Sequence, residues 1–206
     1  MPSEKSSSGA VFKWLTVSVA LLLAVGALFL GRARWKRPDG ANPPTAAAPI
    51  EVARTNLILT EGRLHLTGQT NSFTGFMIEH HASGALRSRS VISNGLLHGI
   101  SEGWYTNGQR QVTEHFKEGV SHGVRTKWSA SGAKTSEASI VDGKLHGTFR
   151  RWHENGTLSE QVEFFEDQPQ GTSLAYFPSG YLKARVVLRD GRPEQQTFWK
   201  DGELKE

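Results

Sequence analysis

The chain has 206 residues, no cysteine and a formal charge of +4, which excludes disulfides, thiolate metal sites and a lipid-modified N-terminal cysteine but leaves the compartment open. Residues 1–50 hold the whole net charge, with Lys5, Lys13, Arg32, Arg34, Lys36 and Arg37 against Glu4 and Asp39. The rest of the chain balances acidic and basic groups, and a neutral body of mixed signs lacks the clustered cations with which a nucleic-acid binder displaces counterions.

Residues 1–13 are short, polar and serine-rich and read as a disordered tail. From Trp14 to Gly31 the run WLTVSVALLLAVGALFLG carries no charge. As a helix it would extend roughly 27 Å at about 1.5 Å per residue, close to the ~30 Å hydrocarbon core of a bilayer, so a transmembrane helix is expected over 14–31. Trp14 and Trp35 flank it where amphipathic rings favour the interface. A cleaved signal peptide is the rival reading; it requires a small-x-small site, and GRARW is a poor one. Orientation stays open. The four cations after the run lean towards a cytoplasmic body, whereas the linker over 32–50, with Pro38, Pro43, Pro44 and Pro49, is the semi-extended spacer common in exported anchored domains.

Residues 51–74 read as a degenerate capping unit, with a hairpin expected around Glu61-Gly62. Beyond it three glycine columns recur every 24 residues: Gly75, Gly99, Gly123, Gly147 and Gly171; Gly84, Gly108, Gly132, Gly156 and Gly180; and Gly95, Gly119, Gly143 and Gly191, with Asp167 in the vacant slot. A fixed period of this size marks a repeat array. Five units are expected over 75–194, and 195–206 reads as a half unit. In the unit beginning at Gly99, Ile100–Tyr105 and Gln109–Phe116 read as two strands joined at Thr106-Asn107-Gly108, followed by a loop ending at His122-Gly123. A three-residue turn with Gly108 left-handed pairs Trp104 with Arg110 and Tyr105 with Gln109. Gly84, Gly132, Gly156 and Gly180 repeat that turn.

Strict alternation would place two apolar columns on one even-numbered face: Trp104, Trp128, Trp152 and Tyr176, and Ile92, Phe116, Ile140, Phe164 and Leu188. The odd-numbered face, with Ser101, Gly103, Thr113, Arg125 and Lys127, would then be solvated.

An aromatic residue, Asn-Gly, a variable strand and Gly-x-x-His-Gly together resemble the MORN repeat, and in variant form the repeats of the YwqK-family antitoxins. Trp104, Asn107-Gly108, Gly119 and His122-Gly123 carry the likeness, with Trp128, Ser131-Gly132, Gly143, His146-Gly147, Trp152 and Asn155-Gly156. Phe73-Thr74-Gly75 resembles the opening of such repeats. The resemblance spans about 51–206. It implies an all-β fold, an elongated single-layer antiparallel sheet of stacked hairpins, here preceded by one transmembrane helix.

No cofactor or metal is expected. His98, His122 and His146 recur two strands apart, about 9.6 Å, whereas zinc ligands lie within about 4 Å of one another; each histidine is expected to cap a turn instead. His80-His81 and His115 carry no motif. There is no nucleophile motif, and the glycines are turns and not phosphate cradles. Glu160, Glu163 and Glu166 cluster in sequence without further support for a catalytic pair, so no enzyme is expected, an enzyme acting on a surface polymer being the remote alternative. Asn155-Gly156-Thr157 fits a glycosylation sequon and is read as turn. The partner-binding candidates are Trp104, Trp128, Trp152, Tyr176, Phe116 and Phe164, which also pack unit on unit. The expected function is a membrane-anchored scaffold for a protein partner, with possible self-association; the alternative, implied by the resemblance, is an antitoxin or immunity protein covering a toxin.

Overall fold

The computed structural model describes residues 49–203. The tail expected over 1–13, the transmembrane helix over 14–31 and all but the end of the linker lie outside the described residues. Within them, no helix is long and apolar enough to cross a membrane.

The described chain is all-β. After a short strand β1 (Glu51–Ala53), a hairpin β2 (Leu57–Thr60) and β3 (Arg63–Leu66), it runs through β4 (Gly75–His80), β5 (Leu86–Ser93), β6 (Leu96–Trp104), β7 (Arg110–Lys117), β8 (Val120–Ser121), β9 (Gly123–Trp128), β10 (Lys134–Val141), β11 (Lys144–Trp152), β12 (Leu158–Phe165), β13 (Gln168–Tyr176), β14 (Leu182–Arg189) and β15 (Arg192–Phe198). One 13-stranded sheet takes β4 onwards in sequence order, with β8 beside β7, and β1 joins its edge as a parallel partner of β4. This is the expected elongated sheet of stacked hairpins.

Two kinds of turn alternate along it. The expected three-residue turn is present: the Tyr105 amide donates to Gln109 O at 2.9 Å, the Gly108 amide donates to Tyr105 O at 2.9 Å, Trp104 pairs with Arg110, and Gly108 has φ +80. The second connection differs from the expected loop ending at His122-Gly123. It is a two-residue turn in which both residues have positive φ, as at Glu118 (+50) and Gly119 (+86) or Asp142 (+49) and Gly143 (+82). Such a turn matches the right-handed twist of its strands, so the chain re-enters the sheet at once, and His-Gly lies at an irregularity within the returning strand. Asp167 holds the vacant glycine slot at φ +68, a conformation aspartate tolerates better than most residues.

A bulge beside each three-residue turn overturns the expected single apolar face. Trp104 pairs with Arg110 but Gly103 with Val112, so Gln111 is extra. Arg87, Thr135, Ser159 and Lys183 are skipped in the same way in the other hairpins. One extra residue shifts alternation between the two strands, and Phe116 stands opposite Gly99, not Ile100. Ile92, Phe116, Ile140, Phe164 and Leu188 therefore line one face, and Trp104, Trp128, Trp152 and Tyr176 the other. Pairing within each face agrees: on the first, Phe149 meets Phe164 edge-on at 6.2 Å, and on the second, Glu102 meets Arg110 at 3.0 Å.

The aliphatic face carries most of the core, with Ile92, Ala138, Ile140 and Val162 buried. At its start the β2–β3 hairpin, a separate two-stranded sheet turning at Glu61-Gly62, lays Leu57, Leu64 and Leu66 against Ile92 and Leu97. Gly95 permits this approach. A Cβ there would stand 2.7 Å from Arg63 Cβ and 2.9 Å from Leu64 N, whereas one at Gly62 would meet nothing within 4 Å. Both Gly→Ala changes incur about 1–2 kcal/mol of left-handed backbone strain. Gly95→Ala must also displace the hairpin, so thermal unfolding of the full chain is expected to show a loss at least several degrees larger for Gly95→Ala than for Gly62→Ala; equal losses would show that the hairpin does not rest there.

Candidate functional site

The binding candidates divide between the two faces. Trp104, Trp128, Trp152 and Tyr176 stand in one row at the three-residue turns, all half-buried. Cations from the preceding unit lie against two of these rings, Arg110 5.8 Å from the Trp128 centroid and Lys134 Nζ 4.4 Å from that of Trp152. These are distances at which a ring quadrupole attracts a cation. Leu158 and Leu182 pair with Trp152 and Tyr176 where the first two rings pair with Arg110 and Lys134. The row is thus a ladder of alternating aromatic and long side chains, and the indoles of Trp128 and Trp152 are partly engaged in joining units. Phe116 and Phe164 are half-buried on the aliphatic face.

Several large apolar side chains remain open on the tryptophan face, with Ile100 38%, Val124 44%, Val141 39% and Phe165 51% exposed; others lie away from it, Leu59 (64%) on the β2–β3 hairpin and Phe198 (68%) on the last strand, opposite Ala184 of the aliphatic face. Ile100 pairs with His115, whose Nδ1 donates to Val124 O at 3.1 Å, so Ile100, His115 and Val124 form one row across three strands. Phe165 stacks obliquely on His146 with centroids 4.9 Å apart. Sequence reasoning missed Val141 and Phe165 because strict alternation, with no bulge, assigns these odd positions to the opposite face; Val124, an even position on the strand of Trp128, falls on the right face and is marked by no motif.

The histidine column meets the next unit's two-residue turn. His98 Nδ1 accepts from the Glu118 amide at 3.5 Å, and His122 Nδ1 lies 3.4 Å from the Asp142 amide. These two histidines cap the turn 20 residues ahead and not their own as expected, and His146 packs against Phe165 instead. Among the described residues no three His, Asp or Glu side chains are placed to hold a metal ion. The glutamates do not converge either. Glu160 faces Arg151 at 3.5 Å on the aliphatic face, Glu163 accepts from Thr148 at 2.8 Å on the tryptophan face, and Glu166 meets Lys144 at 3.4 Å.

A further set of residues, hidden in the sequence, staples unit to unit along the edge of three-residue turns. His81 Nε2 donates to Trp104 O, Tyr105 Oη to Trp128 O and His153 Nε2 to Tyr176 O, each at 2.9 Å and each 23 residues ahead. His81 was the residue without a motif; its signal is that His81, Tyr105, Ser129, His153 and Phe177 recur at the 24-residue period directly after the aromatic row. Asn107 Nδ2 donates to Ala130 O at 2.8 Å and Asn155 Nδ2 to Pro178 O at 2.7 Å, while each Oδ1 accepts from its own turn at 3.1 Å. Asn155 of the sequon is thus engaged as a turn residue. The unit between lacks both staples, having Ser129 and Ser131.

With this geometry in view, the model of the MORN repeat variant matches residues 97–118 and 145–166. The two matches begin two periods apart in the same phase, and the unmatched unit between them is the one with serines at the staple positions. No curated protein matches the chain. Among solved structures, a mutant of S. aureus TarM in complex with fondaparinux, alpha-GlcNAc-glycerol and UDP is 17% identical over 46% of this chain and 19% of that one, with a TM-score of 0.32. TarM in a second structure is 18% identical over the same shares, with the same TM-score. The matched stretch is thus under a fifth of TarM, and a likeness at that level carries no argument.

The staples set a stability expectation. Tyr105→Phe removes one intramolecular hydrogen bond and is expected to cost about 0.5–1.5 kcal/mol. Ser131→Asn supplies the amide that Asn107 and Asn155 use, aimed at Glu154 O, and is expected to stabilise by a similar amount. Chemical denaturation of the full chain measures both; a destabilised Ser131→Asn would contradict the staple geometry.

Proposed function

We propose that this chain is a non-enzymatic, membrane-anchored repeat scaffold that presents the tryptophan face of its sheet to a protein partner. The observation that carries the reading is the open stripe of Ile100, Val124, Val141 and Phe165 on a single-layer sheet. Apolar side chains left exposed together on one face, here interleaved with His115, Ser139 and Lys144, favour contact with a macromolecule. The shape favours a protein over a small substrate, because neither the carboxylates nor the histidines converge on a common point. The uncharged run 14–31 supplies the anchor.

Photocrosslinking tests the face. A benzophenone side chain placed at Val124 or Phe165 of the full chain in its native membrane is expected to capture one and the same protein, and at Lys127, on the opposite face, not to capture it. Equal capture from both faces would remove the reading. Carbonate extraction tests the anchor: the full chain is expected to stay with the membrane pellet, and a chain lacking 14–31 to be released.

The narrower reading, an immunity protein of the YwqK type, uses the same sheet and differs in partner. It is favoured if the crosslinked protein is a toxin encoded beside this chain whose effect on cells this chain relieves.

A further inference from the structure

On the tryptophan face, each two-residue turn is flanked by a cross-strand pair that recurs at the repeat period: Ser93 with Leu96, Lys117 with Val120, Val141 with Lys144, Phe165 with Gln168 and Arg189 with Arg192. The first four each join one apolar residue to a serine, lysine or glutamine, and Val120, Val141 and Phe165 are 45%, 39% and 51% exposed. The fifth breaks the pattern with two cations. At every other place among the described residues where two charged residues stand directly opposite in the sheet, their signs differ: Arg89 with Glu102, Glu137 with Arg150 and Arg151 with Glu160. Like charges so placed repel. Glu194 meets Arg189 at 3.3 Å, and among the described residues no ion pair reaches Arg192. One guanidinium is therefore left uncompensated at the end of an open apolar row.

We propose that Arg192, with Arg189 beside it, receives the carboxylate of an Asp or Glu side chain of the partner polypeptide, whose preceding apolar residues lie along Val141 and Phe165. Charge selects the occupant. A planar guanidinium presents paired N–H donors that match the two oxygens of a carboxylate, and one unmatched positive charge calls for a monoanion, not a doubly charged phosphate. Spacing then sets the partner's pattern. Val141, Phe165 and Arg189 stand one unit apart, about 9.6 Å at two strands per unit. A polyproline-II segment advances about 9.3 Å in three residues and returns to the same side. The partner segment is thus apolar-x-x-apolar-x-x-acidic. The proposal rests on the scaffold reading and adds to it the chemistry that the partner must bring.

The test uses the full chain, ¹⁵N-labelled at arginine and phenylalanine and reconstituted in nanodiscs of phosphatidylcholine alone, where no anionic headgroup competes. Two soluble probes are acetyl-Leu-Pro-Pro-Leu-Pro-Pro-Glu-amide and its glutamine counterpart. The glutamate peptide is expected to shift the Phe165 amide and Arg192 side-chain signals at millimolar concentration, with an affinity about threefold above that of the glutamine peptide, and high salt to erase the difference. Arg192→Gln is expected to equalise the two peptides without lowering the unfolding temperature, because it removes a like-charge pair. No shift at Phe165, equal affinities in the wild type, or selectivity retained in Arg192→Gln would each overturn the proposal. A lowered unfolding temperature in Arg192→Gln would also overturn it, by assigning the arginine pair to the fold. A partner crosslinked at Val124 with the same yield in wild type and Arg192→Gln would overturn the arginine site and leave the scaffold reading intact; loss of the face-specific crosslink in wild type would remove the scaffold reading itself.

Discussion

Strand-to-strand pairing is the interaction on which the rest depends. A single-layer sheet has no second layer to bury its faces against, so each hairpin must be held by its two neighbours through backbone hydrogen bonds and through the side chains that cross between strands. That requirement makes the turns decisive. Both turn types need left-handed residues at fixed positions, and each returns the chain immediately into pairing, so that one hairpin follows another with little unpaired backbone. Where glycine is replaced, the substitute is Asp167 in the αL region, not a change of turn.

The bulge at each three-residue turn has the larger functional consequence. By adding a single residue to one strand it separates the aliphatic and aromatic columns, giving one face a modest core and the other a ladder of rings braced by Arg110 and Lys134. A sheet with both columns on one side would bury one face well and leave the other wholly polar. The observed sheet instead has two half-apolar faces, and Ile100, Val124, Val141 and Phe165 stay open on the tryptophan face, interleaved with polar and charged residues such as Lys144 opposite Val141. Staples from His81, Tyr105 and His153 then secure the turn edge, while Ser129 and Phe177 in the same column make no such bond.

Much of this architecture was legible because glycine columns report backbone conformation directly: positive φ is costly for other residues whatever surrounds them. The three-residue turn at Thr106-Asn107-Gly108 and the hairpin at Glu61-Gly62 follow from such local chemistry. The two-residue turns were legible too, in Asn94-Gly95, Asp142-Gly143 and Asp190-Gly191, but reading His-Gly as the end of a loop concealed them. What could not be read was the identity of the skipped residue. Arg87, Gln111, Thr135, Ser159 and Lys183 are all polar but otherwise differ, two cations, an amide and two hydroxyls, and polar residues are common enough along these strands that nothing marks the one that is skipped.

The candidate site was correspondingly less legible than the fold. Alternation converts a one-residue error into a change of face, so Phe116 and Trp104 were grouped together although they stand on opposite sides, and Glu160 and Glu163 were neighbours in sequence only. The sequence by itself determined the period, the positions of the three-residue turns, the all-β class and the recurrence of the histidines once per unit, because these depend on backbone geometry that each unit repeats. Only the tertiary structure decided which residues share a face, which carbonyl each His or Tyr of the stapling column reaches, and where that column is left open, because these depend on the register between strands of neighbouring units.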